Sequence, residues 1–310
     1  MQTSIQLSLS THFSYVLSFS RDATMSKLSA SLTLNSLLLM ALPLFGACTS
    51  ASQIAQSSIE DITSHYGSDS FTLVATTPAN FGLTAKSQYS PLAGQNCKTY
   101  SAGLGGEVTR RHQKTDQIDV KNIEQTARFD IPLSYSIAGC KMELTRVDMA
   151  IDGRYGTSSL DIGGDFGGIT VKENTTNDGS SSLGDDHSEF RGLCTWMFQL
   201  SVERIEKDGI SKILSCSAAN SEWNVPSDYF ERNKPGGTVQ RSSIKNKEVK
   251  FTFRLARDEE PSMDNRWIKT TEGWKPCQET ATSKRCQTPP VFKKFKMDGR
   301  ECTVYPTCAE

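Results

Sequence analysis

Apolar side chains recur at every second position in several stretches of this chain. Phe129, Ile131, Leu133, Tyr135 and Ile137 alternate with polar or small residues, as do Trp196, Phe198, Leu200 and Val202, and again Val249, Phe251, Phe253 and Leu255. A period of two is that of a pleated strand with one face buried, so each stretch predicts a half-buried β-strand. The run Met142, Leu144, then Val147, Met149 and Ile151 slips phase once, which predicts a bulge near Thr145-Arg146. Three Asp-Gly pairs, Asp152-Gly153, Asp208-Gly209 and Asp298-Gly299, are flanked by strand-like sequence and suit two-residue hairpin turns. A short helix is expected nearer the start, where Ser57 and Glu60 form a capping-box pattern and Ile59, Ile62 and Tyr66 recur near helical spacing. Residues 174 to 186 lack any apolar period and read as a long loop. The expected fold is mainly β: an antiparallel sandwich or barrel-like domain with a short N-terminal helix and a disulfide-stapled C-terminal part.

Upstream of these strands the pattern changes to an uncharged apolar run, residues 37 to 45, preceded by Lys27 and followed by Gly46, Ala47 and Cys48. Positive charge, apolar segment and small-residue site in that order form a secretory signal. The run is too short to cross about 30 Å of hydrocarbon as a helix, and Pro43 interrupts it. Residues 25 to 48 resemble the bacterial lipoprotein class, in which a lipobox directs lipidation of a cysteine that becomes the mature N-terminus. Gly46, Ala47 and Cys48 match the small-small-Cys ending, while Phe45 stands where an aliphatic residue is usual. The resemblance implies lipidation at Cys48 and a bacterial cell-envelope location. Thr49, which is not Asp, points to the outer membrane facing the periplasm. The organisation expected is an upstream extension (1–24, with translation starting at Met25), a signal peptide (25–47), the lipidated cysteine with a polar tether and short helix (48–66), a β domain (67–239), and a β subdomain or continuation with four cysteines (240–310).

Composition sharpens this picture in two ways. The nine cysteines are an odd number; assigning Cys48 to lipid leaves Cys97, Cys140, Cys194, Cys216, Cys277, Cys286, Cys302 and Cys308 for four bridges in an oxidising compartment. No C-x-x-C spacing is present, which argues against zinc. The formal net charge of -1 excludes a dedicated nucleic-acid binder, which needs a surplus of Lys and Arg to meet phosphates. Charge is uneven, however: residues 150 to 230 carry 13 acidic and 6 basic side chains, and 231 to 310 carry 17 basic and 11 acidic, so this tail region could meet an acidic partner or anionic head groups. Register arguments bear on the pairings. A turn at Asp298-Gly299 sets Cys302 opposite Phe295 and Cys308 opposite Pro289, which favours Cys286 with Cys308 and Cys277 with Cys302. A turn at Asp208-Gly209 would set Cys194 opposite Trp223 and Cys216 opposite Ser201; short separation along the chain still ranks Cys194 with Cys216 first. A bridge between Cys97 and Cys140 would contribute about 3 to 4 kcal/mol by restricting the unfolded chain.

Candidate chemistry is sparse. Past Cys48 there are three histidines, His65, His112 and His187, and no Gly-x-Ser-x-Gly elbow. His187 follows Asp185-Asp186, which would suit an acid-base or metal site, and His112 within Arg110-Arg111-His112 reads as a solvated basic turn. Asp161, Asp165, Asp178, Asp185 and Asp186 could offer oxygen ligands to Ca²⁺, although Asn174 and Asp185 fail as the ends of an EF-hand loop. Gly163-Gly164-Asp165-Phe166-Gly167-Gly168 lacks the Lys of a phosphate loop and suits tight turns or a bulged strand. Trp223, Trp267 and Trp274, with Tyr229 and Phe230 nearby, are either core residues or anchors of a binding surface. The reading that follows is a non-enzymatic binding module with no cofactor and no metal, anchored to the membrane through lipid and meeting a protein partner. One concrete form is an immunity-type lipoprotein that sequesters a toxin, an analogy of layout. Two other classes stay open: a hydrolase of envelope polymers or lipids using Asp185, Asp186 or His187, and a structural component of an envelope assembly.

Overall fold

The computed structural model describes residues 63–95, 97–173, 188–262 and 265–308, all within one compact unit. In chain order the strands are β1 (His65–Tyr66), β2 (Ser70–Thr77), β3 (Phe81–Pro91), β4 (Lys98–Ser101), β5 (Gly106–Thr109), β6 (His112–Lys121), β7 (Gln125–Pro132), β8 (Ser134–Ile137), β9 (Cys140–Arg154), β10 (Ile162–Lys172), β11 (Glu189–Phe198), β12 (Lys212–Ala218), β13 (Gly236–Gln240), β14 (Glu248–Leu255), β15 (Glu260–Pro261), β16 (Trp267–Lys269), β17 (Trp274–Pro276), β18 (Phe295–Met297) and β19 (Arg300–Cys302). Helix α1 (Val202–Asp208) follows β11, and the single turn α2 (Arg241–Ile244) follows β13. Of the expected N-terminal helix only residues 63–66 are described, and there His65 and Tyr66 form strand β1 in place of helix.

Two sheets face each other. In the first, β6 pairs with β3 and β3 with β9; the far edge of β9 is shared by β8, with β1 beyond it, and by β10, with β13 beyond it. The second runs β7-β2-β14-β11-β12, with β15 beside the end of β11. Antiparallel pairs dominate, but β14 is parallel to both β2 and β11, and β13 is parallel to β10. Alternate residues of both sheets point inward to one core: Phe71, Leu73, Phe81, Leu83, Met142, Leu144, Val147, Met149, Ile151, Val249, Phe251 and Phe253 are all buried. This is the mainly β sandwich that the period-two pattern requires.

The phase slip is a bulge: Gln88 faces Arg146 and Tyr89 faces Leu144, so Thr145 is the extra residue, and its hydroxyl donates to Gln88 O at 3.1 Å. Of the three Asp-Gly pairs only Asp298-Gly299 turns a hairpin, with φ of 50° and 78° and Phe295 opposite Cys302. Asp152-Gly153 instead lies within β9, where Gly153 faces both Phe81 and Gly163 and the indole of Trp196 occupies the space a Cβ would need. Asp208-Gly209 ends α1: Gly209, at φ 75°, is its C-cap. The strand of Trp196 and Phe198 therefore stops before Val202, and β11 meets β12 with Cys194 opposite Cys216.

The bridges are Cys97–Cys140, Cys194–Cys216, Cys277–Cys286 and Cys302–Cys308. The first two agree with the sequence reading; the last two correct the expected Cys286–Cys308 and Cys277–Cys302. The β18–β19 register is as expected, but β19 ends at Cys302, and the chain turns back instead of extending to place Cys308 opposite Pro289. Cys308 N–H then donates to Val304 O at 2.8 Å, which brings Cys308 beside Cys302.

A second, smaller core joins Phe198, Val202 and Ile205 to Trp267, Phe295, Cys302 and Tyr305. Trp267 is buried there with its indole N–H on Leu200 O, and Trp274 packs against it with its indole N–H on Glu259 O. Both are thus core residues with satisfied polar tips. Glycines close the sandwich at β10. Gly168 (φ 148°) and Gly236 (φ 130°) cross so closely that a Cβ on Gly236 would sit 1.7 Å from Gly168 O. The glycine-rich stretch is a strand, as its lack of a phosphate-loop Lys suggested.

Candidate binding surface

Between β12 and β13 runs an irregular segment, residues 219 to 235, long enough that an unfixed version would be a floppy loop. Its own side chains fix it. Asn220 Oδ1 accepts the N–H groups of Glu222 (3.0 Å) and Asn224 (2.9 Å), while Asn220 O accepts that of Trp223 (3.0 Å). Asp228 accepts the N–H of Phe230 at 2.9 Å and so opens a single 3₁₀ turn, Tyr229–Glu231. Arg232 ties this turn down: its guanidinium donates to Pro226 O (2.8 Å), Ser227 O (3.4 Å) and Glu260 Oε2 (3.0 Å), with its side chain only 9% exposed. At the far end Lys234 pairs with Asp165, and Pro235 O accepts Gly168 N–H at 2.9 Å.

The segment lies over the outer face of the second sheet. Arg254, on the outward side of β14 beside Leu193, sits 4.0 Å from the ring of Trp223. The outward-pointing Thr195, Met197, Ser215 and Ser217 of β11 and β12 are buried, so this part of the sheet is covered. Trp223 adopts a left-handed backbone, φ 65°, a conformation that costs a non-glycine residue about 1 kcal/mol or more and persists only when its surroundings impose it. Among the side chains the segment presents outward are two large aromatic rings. Phe230 is 83% exposed and Tyr229 41% exposed, their rings 5.7 Å apart edge to face. Large apolar rings on fixed backbone can bury area against a partner with little ordering cost.

No protein-family model, no curated protein and no solved structure matches the chain. Function must therefore be argued from the surface itself.

The other residues singled out in the sequence fall elsewhere. Asp178, Asp185, Asp186 and His187 lie outside the described residues, as do Asn174 and Cys48. Asp161 accepts Ser158 N–H within the turn after β9, and Asp165 is occupied by Lys234 and by Cys216 N–H, so neither joins other acids. Among the described residues no group of three His, Cys, Asp or Glu side chains could hold a metal. His65 is exposed in β1.

His112 is not a solvated turn. It opens β6, and its ring stacks on Tyr135 at 3.6 Å while Nε2 shares a 2.8 Å hydrogen bond with Tyr66 Oη. Tyr89, buried with its hydroxyl on Pro132 O, completes the cluster, and Lys114 and Asp116 form an ion pair further along the same face of β6. Burial holds the imidazole below its ordinary pKa, and burial together with Tyr135 and Asp116 pushes the Tyr66 phenol up. Little local marked this: β6 is polar over its first six residues and gives no periodic apolar signal there, and the partners of His112 come from three other strands. Arg254 was not singled out either, although the alternation of Phe251 and Phe253 is the signal that puts it on the outward face.

Proposed function

We propose that this chain is a lipid-anchored, non-enzymatic binding protein of the bacterial cell envelope, held through Cys48 and engaging a protein partner through the surface of residues 219–235. The observation that carries the reading is the fixed loop with Phe230 and Tyr229 exposed on it. Aromatic and Arg anchors on pre-ordered backbone are the composition of energetically dominant interface positions. The anchor draws support from the cysteines: all eight from Cys97 to Cys308 are paired within the fold, which leaves Cys48 as the odd one. Four bridges also suit an oxidising compartment. An immunity-type role, with a secreted toxin as the partner, is the concrete form of the reading.

The test is non-reducing intact-mass spectrometry of membrane-extracted protein, combined with affinity capture. The expected mass begins at a diacylated or triacylated Cys48 with eight cysteines oxidised, and captured material contains one stoichiometric protein that Phe230→Ala releases. A water-soluble chain retaining residues 25–47 would remove the anchor. Capture unchanged by Phe230→Ala would remove this surface from the reading.

A further inference from the structure

We propose that the centre of this surface is the Arg254–Trp223 pair, and that it takes a carboxylate from a segment of the protein partner in which an acidic residue stands beside apolar side chains. The proposal rests on the reading of residues 219–235 as a partner surface and deepens it. Cations around the loop are mostly committed: Arg232 to Glu260, Lys234 to Asp165, Arg191 to Glu189. Arg254 alone of this group has no hydrogen bond or ion pair among the described residues; its contact is the indole of Trp223, 4.0 Å from the guanidinium carbon to the ring centroid. That indole is in turn held by a left-handed backbone and by the Asn220 hydrogen bonds. The guanidinium is therefore positioned but not used.

A stacked guanidinium keeps its edge N–H donors free, and their fork matches the two oxygens of a carboxylate. Apolar surface is supplied by the same loop, from which Tyr229 and Phe230 project. Charge selects among anionic ligands. Glu222, Asp228 and Glu231 are exposed on this loop, so an extended anionic surface such as a phospholipid leaflet meets them with many like charges at once, whereas a single carboxylate within an apolar segment brings one charge, which the fork of Arg254 offsets.

The experiment places a photo-reactive phenylalanine analogue at position 230 of the full-length chain, made in its own cells, with Arg254 intact or replaced as Arg254→Glu, Arg254→Gln or Arg254→Lys. Gln117, exposed on β6, carries the analogue as a control. Oxidation of all four bridges, read by mass on the same samples, certifies folding; exposed Arg254 bears on none of them. The expected result is one protein adduct at 230 and none at 117, with yield falling about tenfold in Arg254→Glu, less in Arg254→Gln, and least in Arg254→Lys, which keeps charge without the fork. An adduct of equal yield in all four forms would overturn the Arg254 assignment and leave the loop as a partner surface. Absence of any adduct would overturn both, and an adduct of phospholipid mass would assign the loop to the membrane instead.

Discussion

The side chain of Asp165 is 7% exposed, and its carboxylate is satisfied by Lys234 and by Cys216 N–H. It thereby joins β10, β12 and the end of the 219–235 segment. In the sequence it stood among glycines and acids that suited calcium, because a buried charge is not legible until the chain that neutralises it, 69 residues on, is in place. Replacing Asp165 with Ala strands an N–H and removes the partner of Lys234, which should cost about 1 to 3 kcal/mol. Urea unfolding checks this as a lower midpoint at unchanged slope. Asp161→Ala, which removes only an exposed cap on Ser158 N–H, should cost less than about 1 kcal/mol. Equal costs would show that the Asp165 clasp adds nothing to the fold. The tryptophans make a parallel point: Trp267 and Trp274 belong to the second core, with their indole N–H groups on backbone carbonyls, whereas the ring of Trp223 lies against Arg254, a distinction set by distant partners and not by the surrounding sequence.

Among elements, those fixed by local rules were legible. The bulge at Thr145 follows from a phase slip, and the β18–β19 hairpin from Asp298-Gly299 with both φ positive. Helix α1 was hidden because Trp196, Phe198, Leu200 and Val202 keep a period of two across a real boundary; Val202 and Ile205, with the Glu203–Lys207 pair, carried the competing helical spacing. The shortest strand raises a different issue. β1 has two residues, and beyond its pairing with β8 it is held by the contacts of Tyr66 with His112 and Tyr135. Because His112 titrates below its ordinary value in the fold, the native state favours neutral imidazole. The sign follows: this contribution is complete above the unfolded-state pKa of about 6.5 and declines as pH falls below it, where the unfolded chain takes up a proton that the fold resists. Wild-type protein should therefore lose urea midpoint between pH 7.5 and 5, and His112→Phe, which keeps a ring against Tyr135 without a titrating group, should lose less. The carboxylates whose pKa values ion pairs lower, Glu203, Glu248, Asp258 and Glu301, are common to both proteins, so their contribution cancels in the comparison. Parallel pH profiles would refute a role for His112.

For the molecule as a whole, the two cores differ in what holds them. The sandwich core is large enough to fold on apolar burial, and its Cys194–Cys216 bridge is wholly inside it. The smaller core depends on short strands and turns, which is where small bodies need covalent staples, and Cys277–Cys286 and Cys302–Cys308 supply them. Sequence reading found the staples and their number but exchanged partners in the second pair of bridges, because register propagates only as far as a strand continues and β19 stops at Cys302. The order of reduction follows from access, since a thiolate must reach a sulfur to open a bridge. Cys286 and Cys308 are partly exposed, whereas Cys194 and Cys216 are fully buried. Under a mild reductant at neutral pH, alkylation and peptide mapping should find Cys277–Cys286 and Cys302–Cys308 open first. The amides around Trp267 and Phe295 should then lose protection from hydrogen exchange while those of β9 and β14 keep theirs, because burial of the sandwich does not depend on the C-terminal staples. Opening of Cys194–Cys216 in step with the outer bridges would mean that the two cores unfold as one cooperative body, and the C-terminal residues would then have to be counted as part of the sandwich's own stability.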